Sequence, residues 1–267
     1  MEKQPLVSVI IACYNAEKYI NLCLEALINQ TYRNLEILIC DDCSTDNSYK
    51  ILLGWLNKDE RIVLLRNETN LHAAATRNKC IEKSHGAYLM IQDVDDVSSY
   101  DRTEKLVEAI QETGIDFVST SMLPFKETPQ KTGRVMSYGI PYPQKKHFLW
   151  NLPFFHPTTI FTRECIEAVN GYRVAKETRR GQDYDMFMRL YAKGYKGKNL
   201  EEPLYFFRLD DDNIRRRNFE ARIGEYHIRK ERFKELGMMP WALPFVFKPF
   251  LAHLIQKMRY FKLLFKK

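Results

Sequence analysis

Gly86-Ala87-Tyr88-Leu89-Met90-Ile91-Gln92-Asp93-Val94-Asp95-Asp96 is an apolar run that opens at a glycine and ends in three carboxylates within four residues. A strand buried on both faces has this composition, because a parallel sheet covered by helices leaves polar residues only at its ends. The pattern recurs upstream. Val7-Ser8-Val9-Ile10-Ile11-Ala12-Cys13 leads into Tyr14-Asn15, Leu35-Glu36-Ile37-Leu38-Ile39-Cys40 leads into Asp41-Asp42, and Ile62-Val63-Leu64-Leu65 forms a third strand. Helical spacing lies between them. Tyr19, Leu22, Cys23, Ala26 and Leu27 share one face, with Asn15 as the expected N-cap. A second helix begins near Asn47, a third runs from about Ala73 to Lys83, and Ser98 and Asp101 are spaced as a capping box for a fourth, ending near Thr113. Repeated βα units predict an α/β fold: a Rossmann-like, mostly parallel sheet with helices on both faces.

Downstream the pattern loosens. Six of the eleven prolines lie between Met122 and Thr158, where long regular structure is not expected. A strand-like Thr158 to Thr162, a helix from Asp183 to Lys193 stopped by Gly194, and a last strand, Leu204-Tyr205-Phe206-Phe207, follow. The 267 residues carry 41 Lys+Arg against 34 Asp+Glu, unevenly placed. Residues 213–267 hold 14 Lys+Arg and 4 Glu, net +10, which leaves net −3 for residues 1–212. Mixed charge and 45% apolar content exclude a disordered or collagen-like chain. No apolar stretch reaches the ~18 to 20 residues of a membrane span. Leu6 to Cys13 is too short for a signal segment and reads as a strand, so a cytoplasmic chain is expected. Cys40-Asp41-Asp42-Cys43 lacks the second pair or nearby histidines that zinc needs, and the six cysteines are expected to be reduced structural thiols.

In open α/β sheets ligands bind beyond the carboxyl ends of the strands, where Tyr14-Asn15, Asp41-Asp42 and Asp93 to Asp96 fall. Asp93, Asp95 and Asp96 repel one another unless a cation sits among them. Their oxygens suit Mg²⁺ or Mn²⁺, ions that bind substrate phosphates. Neither GxxxxGK[ST] nor GxGxxG occurs, so a metal, not a loop of amides, would neutralise a diphosphate. The alternative is that the same acids only cap the next helix.

Five segments in order resemble the motif series of the family 2 inverting glycosyltransferases. They are Val7 through Asn15, Asp41-Asp42-Cys43-Ser44-Thr45-Asp46, Asn70 through Arg77-Asn78, Gly86-Ala87-Tyr88 to Asp93-Val94-Asp95-Asp96, and Gly181-Gln182-Asp183-Tyr184. The resemblance covers about Leu6 to Arg208. It implies a GT-A-like catalytic domain, residues 1–212, with a nucleotide-sugar-binding part at 1–100 and an acceptor-binding part at 101–212. By position, Ala12, Tyr14, Asn15 and Asp42 would hold the nucleotide, Asp41 would support the turn, and Arg77 would contact the base or diphosphate. Asp93 and Asp95 would form the family's DxD element, Asp93 near the ribose or metal and Asp95 on the metal, with Asp96 as the competing ligand. Asp183 would be the general base that takes the acceptor's proton. On residue type alone Asp183 reads equally well as an N-cap. Cys43 stands where relatives have glycine, Leu71-His72 where glycine is frequent, and Gln182 where many have Glu. Leu209-Asp210-Asp211-Asp212 follows Arg208 where relatives often carry a histidine, which leaves Asp210 as a weak substitute ligand.

The implied activity is transfer of a hexosyl or N-acetylhexosaminyl group from a nucleotide-sugar, UDP by family frequency, to a glycan or lipid-linked glycan hydroxyl. A sugar nucleotidyltransferase would need the missing glycine-rich loop, and a noncatalytic scaffold would not need Asp183. Residues 213–267 read as a basic amphipathic helical extension. Arg215-Arg216-Arg217 and Arg229-Lys230-Glu231-Arg232 supply charge, while Leu251, Leu254, Ile255, Met258, Phe261 and Phe265 recur at helical spacing. This composition suits an anionic membrane surface at the inner face, ahead of packing or a homodimer interface. No nucleic-acid motif accompanies the charge, and no nucleic-acid partner is expected.

Overall fold

The computed structural model describes residues 4–130, 133–209 and 219–255. Strands β1 (Val7–Cys13), β2 (Leu35–Asp41), β3 (Ile62–Arg66) and β4 (Tyr88–Ile91) alternate with helices α1 (Ile20–Ile28), α2 (Ser48–Trp55) and α3 (His72–Lys83). β5 (Val97–Ser98), α4 (Arg102–Thr113), β6 (Phe117–Phe125), β7 (Ile160–Thr162), α5 (Arg163–Ala168), α6 (Gln182–Ala192) and β8 (Gly197–Arg208) follow. The sheet has eight strands in the order β3-β2-β1-β4-β7-β6-β8-β5. β1 to β4 run parallel, as do β6 and β8; β7 is antiparallel to both neighbours, and β5 to β8.

Strand order reverses between β1 and β4, where Ile10 pairs with Ile91. Ala12 and Asp93, each two residues further on, therefore leave the sheet at one level. That is the crevice in which open α/β sheets hold ligands. Alternation along β1 builds the two layers. Val7, Val9 and Ile11 pack with Ile20, Leu24, Leu52 and Leu106, whereas Ile10 joins Leu38, Leu89 and Phe161 on the face covered by α3, α5 and α6.

Local expectations fail at three places, each for a physical reason. Asn15 does not cap α1: its backbone is left-handed (φ 48°), and its Oδ1 accepts from Thr45 N at 2.9 Å. At the start of α4 no capping box forms, because Gln30 Oε1 takes the Thr103 N–H at 3.1 Å and Ser98 Oγ donates to Gln92. β6 is absent from the sequence pattern because Ser119-Thr120-Ser121 interrupts its apolar run. Burial is tolerated because Ser119 Oγ bonds Thr158 Oγ1 at 2.8 Å and Ser121 Oγ donates to Leu200 O.

The basic extension is not separate in packing. Ile228 and Phe233 of α7 (Phe219–Glu235) and Val246 of α8 (Leu243–Val246) enter the core shared with α6. Gly224 permits the approach, since a Cβ there would meet Glu177 O at 2.4 Å. Arg229 and Arg232 are buried and paired, Arg229 with Glu225 at 2.9 Å and Arg232 with Asp185 at 3.0 Å. These two arginines are therefore unavailable to an anionic surface. Asp210, Arg215 to Arg217, Met258, Phe261 and Phe265 lie outside the described residues.

Candidate active site

The loops after β1 and β2 are laced together. Cys13 O accepts from Asp42 N at 2.7 Å, Ser44 Oγ accepts from Asn15 N at 3.0 Å, and Asp41 Oδ2 accepts from Ser44 N at 3.3 Å. Asp41 thus supports the turn. Asn15, Cys43 and His72 all have left-handed backbones, with φ of 48°, 61° and 65°. Three strained non-glycine residues on one edge of a sheet mark a surface whose shape the rest of the fold imposes. Tyr14 is 48% exposed beside them, and Ala12 is half-buried at the strand end.

Asp42 has a structural role that its sequence position does not reveal. Its Oδ1 accepts from Asn67 Nδ2 and Leu71 N, and its Oδ2 from His72 N, each at 2.8 Å. The carboxylate therefore fixes the start of α3. A carboxylate offers about four acceptor positions, so one further donor can still be accommodated.

Arg77 projects from α3 and donates to Asp93 Oδ1 at 2.6 Å. Burial opposes its charge, but the Asp93 carboxylate, Tyr172 and Asp183 outweigh it and hold its pKa above the usual arginine value. Among the described residues its Nε and Nη1 have no partner. Tyr172 lies under the guanidinium, its ring centre 5.8 Å away, and bonds His156 Nε2 at 2.6 Å. His156 is neutral: burial and the nearby Arg77 charge push its pKa down to about 3. Asn78 bonds Tyr172 twice, at 2.7 and 2.8 Å, and so anchors this stack.

The three acids after β4 diverge. Asp93 and Asp95 are half-buried, whereas Asp96 is 1% exposed and turned beneath the turn, where it accepts from Arg208 N at 2.7 Å. Burial first, then the Asp95 and Asp93 charges, push the Asp96 pKa up to about 9. Among the described residues no three acidic, histidine or cysteine side chains form a metal cage. Two carboxylates nonetheless fit Mg²⁺ or Mn²⁺, which take one or two protein oxygens and complete their shell with phosphates and water.

Two arginines set this turn. Arg208 of β8 donates through Nε to Asp95 O at 2.8 Å. Arg102, fully buried, donates to Gln92 Oε1, Ser98 Oγ, Ile91 O and Pro157 O at 2.8–3.0 Å. An arginine at a helix start reads as a surface residue, so the sequence alone does not identify it.

Asp183 is the second residue of α6, not its N-cap, which is Gly181. Its Oδ1 accepts from Tyr184 N at 2.8 Å. Asp183, Arg77 and Asp93 face one cavity of about 610 Å³, whose walls also include Arg180, Arg222 and His156. The structure therefore brings Arg77, Asp93 and Asp183 together. Asp42, Asn15 and Tyr14 lie at the adjoining edge, outside the lining of that cavity.

Sheet order, the crevice at β1 and β4, and a carboxylate-bearing turn over a cavity define a GT-A-like enzyme with C-terminal helices. Residues 8–168 match the family described as Glycosyl transferase family 2, and the chain belongs to that family of glycosyltransferases. Over 221 residues it is 34% identical to EpsE of Bacillus subtilis (strain 168), covering 82% of this chain and 78% of EpsE. It is 29% identical over 230 residues to the Escherichia coli UDP-Glc:alpha-D-GlcNAc-diphosphoundecaprenol beta-1,3-glucosyltransferase WfaP, covering 84% and 86% of the two chains. Among solved structures, S. aureus TarS 1-349 in complex with UDP-GlcNAc superposes with a TM-score of 0.72 at 19% identity, covering 91% of this chain and 73% of that one. The mannosyltransferase PcManGT from Pyrobaculum calidifontis, in complex with GDP-Man and Mn²⁺, gives 0.66 at 16% identity, covering 95% and 76%. The last two likenesses establish the fold.

Proposed function

We propose that this glycosyltransferase moves a hexosyl or N-acetylhexosaminyl group from a UDP-sugar to a hydroxyl of a glycan or lipid-linked glycan, with inversion, in one displacement. The observation that carries this reading is one cavity with a buried, partly unpartnered Arg77 beside Asp93 on one wall and Asp183 on another. Ala12, Tyr14, Asn15 and Asp42 hold the base at the adjoining edge. Arg77 supplies the guanidinium charge beside the diphosphate, where a planar fork suits two oxygens. Asp183 accepts the proton of the attacking hydroxyl as the anomeric bond breaks. Asp93 and Asp95 hold a divalent ion, which when bound stabilises charge on the leaving diphosphate. Uridine is favoured by the UDP-Glc of WfaP and the UDP-GlcNAc of TarS, and a divalent ion by the Mn²⁺ of PcManGT.

A cytoplasmic site at the inner membrane face belongs to the same reading. Trp241, Leu243, Phe247, Leu251 and Leu254 are exposed next to the packed Ala242 and Val246, and Lys248 lies among them. Among the described residues no helix is long and apolar enough to cross a membrane. An apolar, basic-flanked strip of this kind suits an interface, not a span.

A thermal-shift screen of UDP, GDP, dTDP and their sugars, with and without Mn²⁺, tests the donor. A ligand at one hundred times its Kd stabilises by about 2.7 kcal/mol. UDP and a UDP-sugar should stabilise the chain, and more with the metal; no shift with any nucleotide would overturn the reading. Sedimentation with phosphatidylglycerol vesicles tests the surface. Serine at Phe247, Leu251 and Leu254 should reduce binding, and unchanged binding would reject the strip.

A further inference from the structure

The cavity holds more positive charge than the donor side accounts for. Five arginines line it against three carboxylates. Two of the five have partners that explain them, Arg77 with Asp93 at 2.6 Å and Arg229 with Glu225 at 2.9 Å. Arg179, Arg180 and Arg222 remain. They come from two segments that flank Asp183: the loop before α6, and α7, which packs against α6. Arg179 contacts the His72 ring nitrogen at 2.6 Å. Among the described residues Arg180 is exposed and has no ion pair or hydrogen bond through its side chain. Arg222 is 9% exposed and makes a 3.4 Å contact to Glu225, and among the described residues its buried Nε has no hydrogen-bond partner. A largely buried guanidinium whose carboxylate contact is long keeps charge that an anion in the cavity can offset.

We infer that Arg179, Arg180 and Arg222 form a subsite for a phosphate group carried by the acceptor, next to the hydroxyl that Asp183 deprotonates. This rests on the glycosyltransferase reading of the cavity and names the acceptor class. The count of cations favours phosphate. A carboxylate is matched by one guanidinium fork, whereas a phosphate or diphosphate presents enough oxygens for several. The donor diphosphate is assigned to Arg77 and the Asp93 turn at the β1–β4 crevice. Arg179, Arg180 and Arg222 instead line the cavity from the loop before α6 and from α7, on the Asp183 side proposed for the acceptor.

Calorimetric titration of the full chain with hexyl diphosphate, with and without saturating UDP and Mn²⁺, tests the subsite. Hexyl diphosphate should bind the UDP-loaded protein, and Arg180→Gln and Arg222→Gln should each weaken it at least tenfold without changing UDP affinity. Arg222→Lys should recover part of the loss. Arg180 is exposed, so its variant remains informative if the Arg222 variant fails to fold. Binding that displaces UDP, or that is equal in the variants, overturns the subsite. Hexyl glucuronide binding as tightly as hexyl diphosphate overturns the phosphate assignment in favour of a uronate. Inorganic phosphate binding as tightly as either overturns an acceptor group altogether. Failure of UDP to bind counts against the donor reading alone, because titration into the nucleotide-free protein still reports the arginines.

Discussion

Residues 7–98 and residues 117–235 build their halves of the site by different means. In the first, each polar cluster follows its strand directly and is fixed by nearby loops, as Asp42 is by Asn67, Leu71 and His72. In the second, Asp183 rides on α6, and α6 is held from outside. Asp185, fully buried one turn into α6, pairs with Arg189 at 2.7 Å and with Arg232 of α7 at 3.0 Å. The geometry of the edge proposed for the donor is therefore a property of successive βα units. The position of Asp183, the proposed base, depends on a helix that arrives from the far end of the chain.

The largest test of this contrast is Asp183→Asn. A positioned base contributes about 10²–10⁴ in rate, so kcat should fall by that range while nucleotide affinity stays within about twofold. Steady-state transfer and nucleotide titration on one preparation measure both. Retained transfer would remove the chemistry from the second region. Asp185→Ala comes next. It leaves Arg189 and Arg232 facing each other without their carboxylate, and a broken buried pair costs about 3–5 kcal/mol. The matching change on the donor side, Arg66→Ala, loses a half-exposed 3.4 Å contact to Asp41 and should cost below about 1 kcal/mol. Urea midpoints compare the two. Equal losses would mean that α7 does not brace α6.

The same contrast explains what was legible in the sequence. β1, β2 and β4 announce themselves because burial on both faces demands apolar-rich runs, and polar residues (Tyr14-Asn15, Asp42, Asp93) follow them within two residues. β6 is hidden by hydroxyls whose partners, Thr158 and Leu200, are far away in the chain. Arg102 and Arg229 look like surface charges because their acceptors are distant carbonyl and amide oxygens, such as Pro157 O and Leu149 O. His156 carries no signal at all; only its contact with Tyr172 beneath Arg77 gives it meaning.

His156 also supplies a pH test of the second region. Its folded pKa of about 3 lies below the ordinary 6.5, so the unfolded chain binds the extra proton first. Its contribution is full above pH 6.5 and is lost as pH falls toward 3. At pH 5 that loss is about 2 kcal/mol. Denaturant melts at pH 7.5 and 5 should therefore differ less in His156→Gln than in the parent, and an unchanged difference would assign the acid sensitivity elsewhere.

Cys43→Gly carries the smallest effect and tests the first region alone. A left-handed residue with a Cβ costs about 1–2 kcal/mol, which glycine at φ 61° relieves. Glycine in turn frees the unfolded chain, a penalty of about 0.4–1 kcal/mol. It also removes the Sγ contact to Glu68 O at 3.4 Å, a weak bond at a partly exposed position. The balance favours the variant by about 0.5 kcal/mol, a rise of about 1–2 °C for a chain of this size. Asp42 N would still donate to Cys13 O, because that bond precedes the substituted residue. Nucleotide affinity should therefore remain unchanged while Tm rises. A loss of affinity with the rise in Tm would show that the strain at Cys43 shapes the base-binding edge, not merely that the fold tolerates it.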